Sequence, residues 1–256
     1  MWLVLACLLP GVIGAGLLFA YEYQEDHSQL ANNTLQTTRA LVQAVDSHLL
    51  SAKAIAQVLS TADSLAKQDL ARFHEHARKA AALMAVGVNV VLMDEAGRQT
   101  LNTLVQFGQP LPTQAAPELV HGVFSAGKLT VSDIFIGPVL KRPTISVDVP
   151  VILDGKITYA LAVHMLPEHF NAILKAQNLP PSWVATVFDS TGTIIGRTHS
   201  AETFVGQKIG AELLKSMRTS PEGSIDATTV DGIPVLLFYS RSPATKLGAA
   251  VLKSQK

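Results

Sequence analysis

Apolar residues recur every three or four positions along the first quarter of the chain, where residues 24 to about 65 contain neither Gly nor Pro. This spacing predicts one α-helix of roughly forty residues with an apolar stripe, on the order of 60 Å long. A compact domain cannot cover such a stripe at one end, so the helix should form a coiled coil or run past two stacked units. The stripe consists of Leu30, Leu35, Leu41, Val45, Leu49, Ala52, Ala56 and Leu59. A shorter helix is predicted at residues 67–84.

Two segments that begin at residues 90 and 185 share one pattern. Residues 90–103 read VVLMDEAGRQTLNT, and residues 185–198 read ATVFDSTGTIIGRT. In both, an apolar run ends in Asp, Gly follows three residues later, and Thr follows nine residues later. Asp and Gly are typical of tight turns. The likeness continues in FGQPL (107–111) against VGQKI (205–209), and in PELV (117–120) against AELL (211–214). The pattern therefore indicates an internal duplication.

Each copy is predicted to contain a strand, a turn, a second strand, a short helix and then antiparallel strands. In the first copy the later strands fall near residues 128–135, 143–153 and 156–165. In the second copy they fall near residues 224–230 and 233–239, with a short last strand at 247–252. A helix at residues 168–177 and a linker at 178–181 separate the copies.

The first residues of the chain predict a membrane anchor. Residues 2–21 carry no charge, and twenty helical residues span about 30 Å, the thickness of the hydrocarbon core of a bilayer. Trp2, Tyr21 and Tyr23 suit the two interfaces. We expect an uncleaved transmembrane anchor with the rest of the chain outside the cytoplasm; a cleaved signal peptide is the alternative. No second span is expected, because Arg241 and Lys246 interrupt the apolar residues 233–252.

Charge and motifs narrow the function. The 256 residues carry 20 basic and 20 acidic side chains, so charge does not favour a nucleic-acid partner. The one cysteine, Cys7, lies in the predicted anchor. The sequence has neither a nucleotide-binding glycine loop nor a nucleophile elbow, and His74 and His76 would point apart on a helix. We therefore expect no catalytic residues, no cofactor, no metal site and no enzyme activity.

An anchor, a long helix and two tandem PAS-like sheets resemble the double Cache sensor modules of bacterial receptors. The best-matching stretches are VVLMDEAGRQTLNT, VSDIFIGPVLKRPTISVDVPV (131–151) and VFDSTGTIIGRT, which look most like the extracytoplasmic segments of sensor histidine kinases. The resemblance implies an α+β fold and a single-pass protein of the bacterial inner membrane that is mostly periplasmic. Its implied parts are an anchor (1–23), helices (24–85), a membrane-distal unit (86–165), a linker helix (166–182) and a membrane-proximal unit (183–256).

The sequence departs from this family at three places. Amino-acid-binding members carry an Arg–x–Trp–Tyr cluster in the distal unit, which residues 102–144 lack. Those members also have an Asp at the end of the last distal strand, where this chain has His164. The last strand looks truncated, and neither a second span nor an output domain follows. The sequence therefore suggests a sensor separated from its transmitter, with a ligand other than an amino acid.

Candidate ligand-binding residues follow from strand alternation in the first unit, residues 86–165, because the membrane-distal unit of the family usually holds the ligand. One face of residues 143–153 carries Thr144, Ser146 and Asp148. On residues 156–165, the small or polar face carries Thr158, Ala160, Ala162 and His164. The opposite, apolar face of that strand carries Ile157, Tyr159, Leu161 and Val163. The apolar faces should pack on the long helix, and the polar faces should line a concavity whose rim is closed by Phe135 and Arg142.

The guanidinium group of Arg142 is suited to a carboxylate, so the expected ligand is a small organic anion. Two alternatives stay open at this point. The polar face could simply be solvated, and the chain could be a membrane-anchored, non-enzymatic scaffold that acts through the long helix. Homodimerisation through that helix is expected.

Overall fold

The computed structural model of the chain describes residues 2–84, 88–112, 117–228 and 234–254, with side chains described for 31–84, 88–112, 118–228 and 234–253. The helices are α1 (Trp2–Ser60), α2 (Asp63–Ala66), α3 (Leu70–Met84), α4 (Pro117–Ala126), α5 (Pro167–Ala176), α6 (Ala201–Phe204) and α7 (Ala211–Thr219). The first strands are β1 (Val88–Met93), β2 (Gln99–Asn102), β3 (Thr130–Val131), β4 (Phe135–Ile136), β5 (Pro143–Leu153) and β6 (Lys156–Met165). The remaining strands are β7 (Trp183–Phe188), β8 (Ile194–Arg197), β9 (Glu222–Thr228), β10 (Pro234–Arg241) and β11 (Gly248–Ser254).

The predicted long helix is α1, and its backbone is helical from Trp2 onward. The predicted anchor, residues 1–23, lies outside the residues whose side chains are described. Among the residues that are described, no helix is long and apolar enough to cross a membrane.

The side chains of α1 that face the protein form a stripe along residues 34–59. From Leu41 onward its buried members include all the predicted ones, Leu41, Val45, Leu49, Ala52, Ala56 and Leu59, together with Val42. Towards the N-terminus the buried residues are Thr34 and Thr38, whereas the predicted Leu35 is half-buried and Leu30 lies outside the residues whose side chains are described. The helix contacts β5 and β6 in one sheet and β10 and β11 in another. One helix therefore covers two sheets, which is the second of the two arrangements allowed by its length.

The two sheets are antiparallel and have the same topology. The first has the order β2-β1-β6-β5-β3, with β4 also paired to β5, and the second has the order β8-β7-β11-β10-β9. Val90 and Thr186 thus lie in separate sheets. We refer to the first sheet with α4 as the first unit and to the second sheet with α6 and α7 as the second unit. The fold is α+β, with a long N-terminal helix and two antiparallel sheets.

The repeated Asp–Gly–Thr pattern forms the same hairpin in both units. Asp94 N–H donates to the Arg98 carbonyl and Gly97 N–H donates to the Asp94 carbonyl. In the second unit, Asp189 N–H donates to the Thr193 carbonyl and Gly192 N–H donates to the Asp189 carbonyl. The two glycines have φ of 73° and 79°, a conformation that favours Gly.

The threonines that end the two patterns also have the same role. The Thr103 hydroxyl accepts from Val90 N–H at 2.9 Å, and the Thr198 hydroxyl accepts from Ala185 N–H at 3.1 Å. The structure therefore shows the internal duplication down to single hydrogen bonds.

Two expectations need correction. The predicted strand at 128–135 is two short strands, β3 and β4, because Asp133 and Ile134 between them bond to the second unit. Ile157 packs on the side of β6 that was predicted to be polar, because a bulge shifts the register of β5 and β6 next to Val151. The short last strand predicted at 247–252 is β11 (Gly248–Ser254), which pairs with β10 and β7 and lies in the middle of its sheet.

Asp189 joins the two units. Its carboxylate is fully buried and accepts from Thr191 N–H, the Thr191 hydroxyl and Thr193 N–H within its own turn. It also accepts from Ile134 N–H of the first unit at 3.1 Å. In return, Asp133 accepts from Ser190 N–H at 3.0 Å. The second copy of the turn therefore closes its own hairpin and also binds the first unit.

The duplication provides a matched pair of variants that tests this role. Asp94 is partly exposed and accepts from the backbone and side chain of Arg98 and from the backbone N–H of Ala96, all within its own hairpin. We expect Asp189→Ala to lower the free energy of unfolding by about 3 kcal/mol, because buried donors lose a charged acceptor. Asp94→Ala should lower it by about 1 kcal/mol. Urea unfolding of the full chain measures both, and equal losses would contradict the interface role of Asp189.

Candidate functional site

The first unit turns a polar face away from α1. Thr144, Ser146 and Asp148 of β5 lie on this face, while Ile145, Val147, Val149 and Val151 pack in the core against α1. His164 of β6 lies directly opposite Ser146, and Ala162 lies opposite Asp148. The alternation predicted for β5 is present, and it brings four of the candidate residues onto two neighbouring strands.

The four residues are buried, and two of their polar atoms have no hydrogen-bond partner. Exposed fractions are 0% for Asp148 and 4% for His164. The Ser146 hydroxyl donates to Asp148 Oδ2 at 2.7 Å. Asp148 Oδ1 and His164 Nε2 are unpaired, and Ser64 Oγ is the one other such buried side-chain atom within the described ranges. Buried polar atoms without partners are rare in native proteins and call for an explanation.

Burial shifts both titrating groups toward their neutral forms. It raises the pKa of the Asp148 carboxyl to about 7, against the smaller opposite effect of the Ser146 hydrogen bond. It lowers the pKa of the His164 imidazole to about 4. At neutral pH the imidazole is therefore uncharged, with one nitrogen that donates and one that accepts.

The two predicted rim residues have different surroundings. The ring of Phe135 on β4 meets the His164 ring edge to face, with centroids 5.4 Å apart. Arg142 instead forms an ion pair with Glu168 of α5 at the surface, and its side chain is half exposed. The structure thus brings Phe135 to the polar face and does not place Arg142 there.

Three amide side chains next to His164 were not predicted. Asn89 of β1 donates to Asn102 of β2 at 3.2 Å, and Asn102 donates to Gln99 at 2.9 Å. They line a small cavity together with Thr144, His164 and residues 137–140. Asn89 could have been found, because it is the one polar residue of the buried strand VNVVLM.

The cavity beside His164 is closed in this conformation. Its volume is about 10 Å³, at most the room for one water molecule. Val120 and Val123 of α4 cover the neighbouring part of the sheet by packing on Val91, Ala160 and Ala162.

A much larger cavity, of about 580 Å³, lies on the corresponding face of the second unit. Arg197 and Lys208 are among its lining residues. No sequence pattern predicts this cavity, because its volume depends on how far α6 and α7 lie from the sheet. Within the described ranges, no group of three His, Cys, Asp or Glu side chains is close enough to hold a metal ion.

Comparison with known proteins gives matches in structure alone. No protein-family model matches the chain, and no curated protein matches its sequence. Among solved structures, a methyl-accepting chemotaxis protein X has a TM-score of 0.70 and 14% identity, over 90% of this chain and 100% of that one. The sensor domain of the Vibrio cholerae histidine kinase DctB has a TM-score of 0.62 and 11% identity, over 88% and 98%.

A third similar structure is the sensory domain of the Campylobacter jejuni chemoreceptor Tlp3, solved with isoleucine bound. Its TM-score is 0.63 and its identity is 15%, over 92% of this chain and 95% of that one. The DctB and Tlp3 structures are sensor domains, and the Tlp3 domain holds a bound ligand. The matches cover about nine-tenths of this chain, including α1 and both sheets. They show that the chain has the Cache-type fold of the extracellular sensor domains of histidine kinases and chemoreceptors.

Proposed function

We propose that the chain is the extracytoplasmic sensing region of a histidine-kinase-type receptor, anchored in the bacterial inner membrane by residues 1–23, and that the first unit binds a small organic molecule. The observation that carries the proposal is the buried polar face of β5 and β6, where Asp148 Oδ1 and His164 Nε2 lack partners. The sensor-domain fold gives such a face a function, because structures similar to this one hold small ligands.

The chemistry of this face favours a ligand that donates hydrogen bonds. Asp148 Oδ1 has no hydrogen-bond partner and is an acceptor when the carboxyl is ionised, and none of the described residues that line the small cavity is cationic. The carboxylate expected from an Arg142 rim would meet no positive charge here, because Arg142 pairs with Glu168. An ammonium, amide or hydroxyl group fits better. The chemoreceptor Tlp3 binds isoleucine and L-valine, which carry an ammonium group.

Ligand entry requires residues 137–140 to move, because they line the closed cavity. Two backbone bonds of 2.8 Å hold this loop, one from Gly137 N–H to the Arg142 carbonyl and one from Lys141 N–H to the Gly137 carbonyl. The loop precedes β5 directly, and β5 packs on α1. Opening of the loop would therefore act on the strand that contacts the long helix.

The same helix offers a surface for a homodimer. Leu50, Ala54 and Val58 are exposed on α1, and their spacing of four residues places them on one face. Leu50 and Val58 expose 58% and 72% of their surface. We propose that a second copy of the chain packs on this stripe.

A matched series of compounds tests the ligand assignment: L-valine, isobutylamine, which keeps the ammonium, and isovalerate, which keeps the carboxylate. We expect the full chain to bind an ammonium-bearing member in the first unit. Asp148→Asn and His164→Ala should each weaken that binding by about tenfold or more, because a buried polar partner is lost. Isothermal titration calorimetry measures the change.

Two exposed residues of the same unit provide the controls. Asp154→Asn and His121→Ala remove the same groups at exposed sites and should leave the affinity unchanged. No binding by either ammonium compound, or equal binding by the parent and Asp148→Asn, would contradict the assignment.

The pH dependence of stability tests the two buried groups. Asp148 has a folded pKa above its unfolded value, so its contribution to the free energy of unfolding falls as pH rises from about 4 to about 7. His164 has a folded pKa below its unfolded value, so its contribution rises between about pH 4 and 6.5. The two effects nearly cancel in the parent chain.

Each variant should therefore show how the other group alone changes the free energy of unfolding with pH. Relative to the parent, Asp148→Asn should gain stability with rising pH by about 1.4 kcal/mol per unit between pH 4 and 6.5. His164→Ala should lose about as much per unit over that window. Urea unfolding at a series of pH values measures both slopes, and slopes of the same sign would show that these groups are not buried as described.

A further inference from the structure

We propose that the second unit contains a separate binding site for a small organic carboxylate with an apolar body. The site is the cavity between the face of β7, β11 and β10 that points away from α1 and the segment from α6 to the start of α7. It is distinct from the polar face of the first unit and needs no contact with it.

The size and lining of the cavity fit such a molecule. Its volume of about 580 Å³ lies in the range of about 300–1,000 Å³ that is typical of small-molecule sites. Most of its lining is apolar, with Ile194, Leu213, Leu237 and Leu252 among the residues that contribute. An apolar ligand body would cover this surface, and a charged group would have to face the polar part of the lining.

That polar part includes a positioned guanidinium group. Arg197 at the end of β8 stacks on the ring of Phe204 with 4.2 Å between its Cζ and the ring centroid. Its Nε donates to the His199 carbonyl at 3.1 Å, and its Nη1 lies 3.4 Å from the Thr186 hydroxyl. A guanidinium held in one orientation binds a carboxylate at a lower entropic cost than a mobile one.

Lys208 adds a second positive charge to the lining. Its ammonium group donates to the Thr191 carbonyl and to the hydroxyls of Thr191 and Thr193, at 2.7–3.2 Å. These acceptors are neutral, and no carboxylate of the described residues forms an ion pair with Lys208. The one acidic side chain among the described lining residues is Glu212, which is exposed on the first turn of α7.

The N-terminus of α7 also favours an anion in this cavity. Gly210, Ala211 and Glu212 line the cavity, and Gly210 at the N-cap provides no side-chain acceptor for the first turn. The partial positive charge of a helix N-terminus favours an anion. Here it adds to the two side-chain cations and does not replace them.

The internal duplication shows that these cations belong to the second unit. Arg197 occupies the position of Asn102 in the first copy of the repeated segment, and Lys208 occupies that of Pro110. The two copies therefore share a fold but have different charges on corresponding faces. The first unit presents neutral amides and buried Asp148, and the second presents two cations.

Isovalerate and benzoate are the probes, and their amides, isovaleramide and benzamide, are the neutral controls. We expect the full chain to bind at least one carboxylate saturably in calorimetry and its amide at least about tenfold more weakly, because the charge-assisted bonds are lost. Arg197→Gln should weaken carboxylate binding by about tenfold or more. Arg218→Gln, the same change at an exposed position of α7, should not alter it.

A second variant keeps the test valid if Arg197→Gln does not fold. Ala227 lines the cavity from the edge strand β9 and is half-buried, so Ala227→Leu should narrow the cavity and weaken binding. Equal binding by the parent, Arg197→Gln and Ala227→Leu would overturn the proposal, and so would no carboxylate binding. Loss of carboxylate binding in Asp148→Asn but not in Arg197→Gln would place the carboxylate in the first unit and would also overturn it.

Discussion

The structure depends on the burial of one face of each sheet against α1. Leu41, Val45 and Leu49 belong to the same buried cluster as Val147 of the first sheet and Val251 of the second. The N-terminal part of the described stripe meets the second unit, where Val42 and Val45 lie beside Val187 and Leu247. Because side chains alternate along a strand, covering one face of each sheet leaves the other face available for ligands.

The two remaining faces have diverged although their strands have the same order. In the first unit, α4 packs directly on the sheet through Val120 and Val123, and the polar residues beside it are buried. In the second unit, α7 rests on the sheet through Leu213 and Met217, and the space beside its N-terminus stays open. A ligand in the first unit would have to displace a loop, whereas one in the second unit would enter an existing cavity.

The sequence predicted what depends on local spacing. The α1 stripe, the duplicated hairpins and the polar face of Thr144, Ser146 and Asp148 follow from periods of 3.6 and 2 residues. The predictions are wrong where contacts between residues distant in sequence determine the position of a side chain. A bulge in the pairing of β5 and β6 places Ile157 on the face opposite to the predicted one. Arg142 lies at the surface because its side chain forms an ion pair with Glu168. The volume beside Arg197 depends on how far several elements lie apart, which no single segment encodes.

We expect α1 to make the two units one cooperative structure, so that a change in one unit reaches the other. Native-state hydrogen exchange of the full chain with Val45→Ala tests it most directly, because Val45 lies beside strands of the second unit. If α1 couples the two units, the best-protected amides of β5 and β6 should lose about 1–3 kcal/mol of protection together with those of β10 and β11. Leu83→Ala, at an exposed position of α3 outside the proposed dimer stripe, should leave both sets unchanged. A loss confined to β10 and β11 would contradict the claim.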